Sequence, residues 1–167
     1  MAVENNLEDL CCGSGNTQGI DEDMKSIPSE LPESLKILCV DDDAVLCKLF
    51  TRSIKSVCPN WQVRQAASGE TALRLTEEEH FDVIFIDMYM ASVEKQLLGT
   101  ETVSHLRNYG ITSRICGLSA NDKEQEFYDA GADAFMFKPF LCDQYTMTQT
   151  LCRVLYQDQK SAYDGDF

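Results

Sequence analysis

Asp41-Asp42-Asp43, Asp87, Ser119 and Lys138 each stand at or just past the end of a short apolar run. The runs are Lys36–Val40 (KILCV), Asp82–Asp87 (DVIFID), Arg114–Leu118 (RICGL) and Ala134–Phe137 (AFMF). If those runs are neighbouring strands, their ends bring several carboxylates, a hydroxyl and an ammonium to one rim. Clustered carboxylates repel one another unless a cation neutralises them. Oxygen ligands in a partly open site suit Mg²⁺, which takes one or two carboxylates plus phosphate oxygens and water. A lysine and a hydroxyl opposite such an ion would cradle the remaining oxygens of a phosphoryl group.

The intervening segments supply the scaffold. Ala44–Cys58 carries Leu46, Leu49, Phe50, Ser53, Ile54 and Val57 at helical spacing, with Pro59 just beyond. Trp61–Ala66 reads as a strand, and Ser68 can cap a helix running to about Glu79. Gly99–Asn108 is helical, and Asn121 with Glu124 resembles a capping box for a helix ending near Gly131. Phe140–Tyr156 is a last amphipathic helix, with Leu141, Met147, Leu151 and Leu155 among its apolar positions. Five strand–helix pairs in alternation require crossover connections. The expected fold is therefore α/β, a parallel five-stranded sheet with helices on both faces. Ligands of such a sheet sit outside the carboxyl ends of its strands, where these residues fall.

Taken singly, each residue has a plainer reading. Asp41-Asp42 can be a solvated helix start, Asp43 the N-cap of the first helix, Ser119 a turn residue, Lys138 a surface lysine and Phe135 a core side chain. The combination in register is what favours a site. Phe127 and Tyr128 are expected to divide, one packing inward and one facing outward.

Composition excludes several function classes. The 167 residues hold 14 Lys+Arg and 28 Asp+Glu, a net charge of -14. A nucleic-acid binder needs a basic stripe to release counterions, and a polybasic membrane module needs the same. Residues 1–34 hold eight acids and one base, a net -7, on about a fifth of the length. They have no aromatic residue, so they read as an acidic, disordered N-terminal tail ahead of one domain over 35–157, with a short tail at 158–167. The glycines at 13–19 form G-x-G-x-x-x-G, which is not the dinucleotide fingerprint. Eight cysteines show no C-x-x-C, and His80 and His105 lack ligand-spaced neighbours, so no zinc site is expected. Reduced thiols, no signal peptide and no apolar run of membrane length fit a cytoplasmic or nuclear setting.

V-D-D at 40–42, I-D at 86–87, S-A at 119–120 and K-P at 138–139, with an aromatic three residues before the lysine, together resemble the receiver domain of two-component response regulators. The resemblance covers about residues 35–157. It implies a flavodoxin-like, doubly wound sheet in the order 2-1-3-4-5 and a Mg²⁺-dependent phosphoacceptor role in phosphorelay signalling, not an enzyme acting on an external substrate. Asp87 matches the acceptor, Asp41 and Asp42 the acidic metal ligands, and Lys138 the lysine that pairs with the phosphoryl group. Ser119 matches the switch hydroxyl, and Phe135 the aromatic that rotates inward. The carbonyl of Tyr89, two residues past the acceptor, matches a further metal ligand. Tyr89 and Asn121 also flank the path of hydrolytic water.

The implied phosphodonor is a histidine kinase or histidine phosphotransfer domain, docking near Leu46 and Leu49, and the domain is expected to act as a monomer. The terminal segments are too short and acidic for a DNA-binding module. That leaves a stand-alone receiver, a relay shuttle or the receiver portion of a hybrid kinase. Two departures stand out: Ala91 replaces the proline usual four residues past the acceptor, and the first glycine is Gly99, twelve on. Ala91–Leu98 therefore reads as an insertion of about four residues beside the site. A haloacid-dehalogenase-type phosphatase would share the nucleophile and Mg²⁺, but it needs an Asp at position 89, which is Tyr. A pseudo-receiver would lack acidic or lysine positions that are all present here.

Overall fold

The computed structural model of the chain describes residues 30–90, 97–140 and 143–156. Five strands alternate with five helices: β1 (Lys36–Val40), α1 (Ala44–Val57), β2 (Gln62–Ala66), α2 (Gly69–Glu78), β3 (Val83–Asp87), α3 (Gly99–Asn108), β4 (Arg114–Ser119), α4 (Glu124–Ala130), β5 (Ala134–Phe137) and α5 (Gln144–Tyr156). All neighbouring strands are parallel, in the order β2-β1-β3-β4-β5. β3 lies at the centre and every one of its residues is buried. Its unbroken apolar sequence, VIFI, follows from being covered on both faces. β2 is an edge strand, and its polar QVRQA sequence suits one exposed side.

Two apolar layers fill the space between sheet and helices. One joins Ile37, Cys39 and Phe85 of the sheet to Phe50 and Ile54 of α1 and Met147 and Leu151 of α5. The other joins Leu38, Ile84 and Ile86 to Leu75 of α2, Val103 and Leu106 of α3, and Phe127 of α4. Gly117 of β4 lies under the Phe127 ring. A Cβ there would stand 2.3 Å from Cγ of Phe127, so the fully buried ring demands a residue without a side chain. Tyr128 does not face outward as expected but is half-buried against the same layer, its hydroxyl donating to Glu124 at 2.9 Å. Arg107 fastens the far end of the α3–α4 layer. It donates to the carbonyls of Gly131, Ile111 and Ser113 at 2.7–2.9 Å and pairs with Asp133 at 2.7 Å.

Local signals hold at two helix starts and fail at two. Asp43 caps α1, accepting the amides of Val45 and Leu46 at 2.9 and 3.0 Å, and Ser68 caps α2 through the Thr71 amide at 3.2 Å. The expected capping box at Asn121 does not form. α4 begins only at Glu124, and the Asn121 amide donates instead to the Ser119 hydroxyl at 3.1 Å. α5 begins at Gln144 and not at Phe140. Phe140 packs its ring 4.9 Å from that of Phe50, and Asp143 accepts the Thr146 amide at 2.9 Å. On α1 the inward position belongs to Cys47, whereas Leu49 is 52% exposed.

Residues 30–34, placed with the tail by composition, are tied down. Trp61 donates to the Pro32 carbonyl at 2.8 Å, Tyr156 donates to the Glu30 carbonyl at 3.2 Å, and Leu31 packs on the core. The rest of the acidic tail, positions 91–96 of the insertion, Leu141 and positions 157–167 lie outside the described residues. Among the described residues no helix is long and apolar enough to cross a membrane.

Candidate functional site

Parallel strands deliver their carboxyl ends to one edge, and β1, β3, β4 and β5 all do so here. Asp41 follows β1 directly and is buried, with Oδ1 accepting the Asp43 amide at 2.9 Å. Asp87 closes β3 and is also buried, while Asp42 is exposed. One carboxylate oxygen from each of Asp41, Asp42 and Asp87 lies within 4.8 Å of the others. The Lys138 ammonium reaches across from the end of β5 and pairs with both Asp41 Oδ2 and Asp87 Oδ1, the latter at 2.8 Å. Four of the residues singled out from sequence thus meet in one place.

The backbone explains why they meet. The amide of Lys138 donates to the Ser119 carbonyl at 2.9 Å, locking the end of β5 to the end of β4. The amide of Met88 donates to the Leu118 carbonyl, and the amide of Gly99 to the Met88 carbonyl, both at 2.9 Å. The last contact brings the chain back to the end of β3. It needs glycine, because a Cβ at position 99 would lie 2.3 Å from the Asp87 carbonyl oxygen. The sequence shows Gly99 twelve residues past Asp87, and only the three-dimensional packing identifies it as the residue that closes the loop.

Ser119 is 2% exposed, and its hydroxyl accepts the Asn121 amide. Phe135, on β5, is turned inward. It is buried between Phe127 at 5.9 Å and the exposed Phe137 at 5.0 Å, edge to face. Tyr89 is 50% exposed in the loop after β3. Lys123, at the start of α4, drew no attention in the sequence because an isolated lysine in a polar turn carries no signal. Its ammonium is held above its ordinary value first by Glu126 and secondarily by Tyr89.

The two central titrating groups are pushed in opposing ways. Burial raises the Asp87 carboxyl above its ordinary value. The Lys138 hydrogen bond and charge oppose that rise, and Asp41 adds to it. Burial disfavours the charged form of Lys138, but the hydrogen bonds to Asp41 and Asp87 outweigh it and keep the ammonium above its usual range. Two buried carboxylates, Asp41 and Asp87, share one lysine, and the exposed Asp42 lies beside them. All-oxygen donors in such an arrangement could hold a hard divalent cation. His80 and His105 both lie exposed, away from this cluster.

A family model described as response regulator receiver domain matches residues 37–151. Among curated relatives, the sensor histidine kinase RcsC of Escherichia coli K12 is 26% identical over 122 residues, covering 71% of this chain and 12% of RcsC. The nisin biosynthesis regulatory protein NisR of Lactococcus lactis is 31% identical over 112 residues, covering 65% of this chain and 46% of NisR. The chain thus spans less than half the length of either relative. Among solved structures, the chemotaxis response regulator CheY4 of Vibrio cholerae aligns with a TM-score of 0.63 at 29% identity, over 73% of this chain and 99% of that one.

Proposed function

The chain belongs to the response regulator receiver domain family, and on that premise we propose that Asp87 accepts a phosphoryl group from a phosphohistidine. The observation that carries this reading is the bridge from Lys138 to Asp41 and Asp87 within a cluster of three carboxylates. Asp41, Asp42 and Asp87 offer the oxygen donors that fit Mg²⁺, with the Tyr89 carbonyl as a further ligand. When bound, the ion supplies positive charge to offset that on the phosphoryl oxygens.

The chain's own residues do the rest. The ionised Asp87 carboxylate attacks phosphorus in line, an O–P bond forms, and the P–N bond to the donor imidazole breaks. Lys138, already beside the attacking oxygen, releases Asp87 and pairs with a phosphoryl oxygen. Such a reaction consists mostly of positioning and charge stabilisation, so a buried, prepositioned ammonium is well suited to it. The Ser119 hydroxyl then turns from the Asn121 amide toward the acyl phosphate, and inward Phe135 belongs to the arrangement this favours. The output is a population shift between two arrangements, not turnover of an external substrate.

The donor is a histidine kinase or a histidine phosphotransfer domain, meeting the protein along α1. Val45 and Leu49 there are 67% and 52% exposed, an apolar strip beside the site, with Leu46 half-buried next to it. The test is incubation with acetyl phosphate, with and without Mg²⁺, followed by intact mass and peptide mapping. One phosphoryl group on Asp87, absent without Mg²⁺ and absent in Asp87→Asn, is expected. Label on another residue, or label independent of metal, overturns the proposal.

A further inference from the structure

Beneath the acidic rim lies a feature the phosphoacceptor role does not use. Cys39 on β1 and Cys47 on the first turns of α1 are each 1% exposed, and their sulfurs lie 3.4 Å apart. Among the described residues this is the thiol pair in contact; Cys116 donates instead to the Gly117 carbonyl at 3.6 Å. A disulfide requires closure of the sulfurs from 3.4 Å to about 2.05 Å. The ring it would close runs from 39 to 47 and encloses Asp41, Asp42 and Asp43. Cys47 also donates its S–H to the Asp41 carbonyl at 3.6 Å, so the pair touches the backbone of a site residue.

We propose that Cys39 and Cys47 form a reversible intrachain disulfide when the protein meets hydrogen peroxide, and that this bond constrains the acidic loop above it. One thiol sulfur attacks the O–O bond, giving a sulfenic acid and a first water. The second sulfur displaces the sulfenic oxygen, which leaves with its proton as a second water. Two S–H bonds and one O–O bond break, and one S–S bond and two O–H bonds form, each thiol proton leaving in a water. Peroxide reaches the pair by opening of the first turn of α1, where Ala44 and Val45 are already exposed. After oxidation Cys47 has no S–H to give the Asp41 carbonyl, and Asp41–Asp43 lie in a closed ring. The effect on the site rests on the metal reading above; the bond itself does not.

Both cysteines fall in one tryptic peptide, Ile37–Lys48, because Lys36 and Lys48 flank them. The folded full chain is treated with peroxide, denatured, alkylated with iodoacetamide and digested. The expected product is this peptide without label and lighter by two hydrogens, restored to two labels by dithiothreitol and absent in Cys47→Ser. Two labels after peroxide, oxygen added to a single cysteine, or a cross-link to another peptide would overturn the proposal. Thermal melts with Mg²⁺ then separate the two claims. A Mg²⁺-induced rise that changes at least twofold between oxidised and reduced protein supports the coupling, and equal rises overturn it. If neither form responds to Mg²⁺, the metal reading fails while the peptide result still decides the disulfide.

Discussion

Replacing Asp87 by Asn removes one carboxylate from a buried ion-paired site, a change that ordinarily costs about 3–5 kcal/mol when it strands a partner. The geometry here predicts otherwise. The 2.8 Å contact of Asp87 with Lys138 gives an attraction of about 6 kcal/mol at an effective dielectric of 20. The Asp41 carboxylate, no more than 4.8 Å away, gives an opposing repulsion of at least about 3.5 kcal/mol on the same scale. Exposed Asp42 adds a further, screened repulsion, and burying an ionised carboxyl costs several kcal/mol more. The raised carboxyl value of Asp87 points the same way, since burial and Asp41 together outweigh Lys138. Lys138 meanwhile keeps Asp41 as its partner in the variant.

Asp87→Asn should therefore be neutral or stabilising by about 1 kcal/mol without metal, a melting rise of roughly 0–5 °C for a domain of this size. With Mg²⁺ at about ten times its dissociation constant, the wild type should gain about 1.4 kcal/mol, near 5 °C, and the variant clearly less. The assay is a thermal melt by circular dichroism in EDTA and in a Mg²⁺ series. The pH dependence has a definite sign. A raised folded value means the ionised group opposes folding, so the wild type compares best with the variant below the ordinary value of 3.8. That advantage is lost as pH rises through the raised folded value. A metal-free drop of about 10 °C or more in the variant would show a net favourable ion pair and refute the charge-deficit reasoning. A wild-type melt indifferent to Mg²⁺ would refute the metal site.

Tyr89 stands half exposed beside Asp87 and should obstruct water approaching an acyl phosphate; Tyr89→Asn is expected to speed dephosphorylation roughly tenfold, about 1.4 kcal/mol of barrier, and an unchanged decay rate would count against the obstruction. Gly117→Ala would drive a methyl into the Phe127 ring 2.3 Å away, and urea unfolding should show a loss of about 1–3 kcal/mol. Arg107→Ala would leave three carbonyls and Asp133 without their shared donor; a loss of roughly 2–4 kcal/mol is expected, with Mg²⁺ response retained because the cluster is remote from the rim.

What was legible in the sequence is what strand ends impose. The residues at or just past the ends of β1, β3, β4 and β5 must share an edge once the sheet is parallel, so the apolar runs put Asp41, Asp87, Ser119 and Lys138 on one rim, and the family resemblance supplied the strand order that makes those ends neighbours. Capping was legible where one residue decides it, as with Asp43 and Ser68. It failed at Asn121, where the Ser119 hydroxyl two residues upstream takes that amide and the helix starts later. It failed again at Phe140, an apolar residue that continues the helical pattern but is claimed by the Phe50 ring. The anchoring of residues 30–34 was invisible because Trp61 and Tyr156, which hold that segment, come from positions far along the chain.

The same distinction applies to the loop that follows β3. An insertion beside a site normally threatens its geometry, because a longer loop has more conformations to lose on closure, though that cost grows only slowly with length. Here the chain returns at one point, where the Gly99 amide meets the Met88 carbonyl and the absent side chain lets the two backbones touch. Asp87 is therefore held by β3 and by the start of α3. Gly99→Ala is accordingly the sharpest probe of the arrangement: a Cβ placed 2.3 Å from the Asp87 carbonyl must move either α3 or β3. It should lower stability by about 1–3 kcal/mol and weaken the Mg²⁺-induced melting rise along with it. Loss of stability with an undiminished Mg²⁺ response would mean that α3 yields and β3 alone positions Asp87.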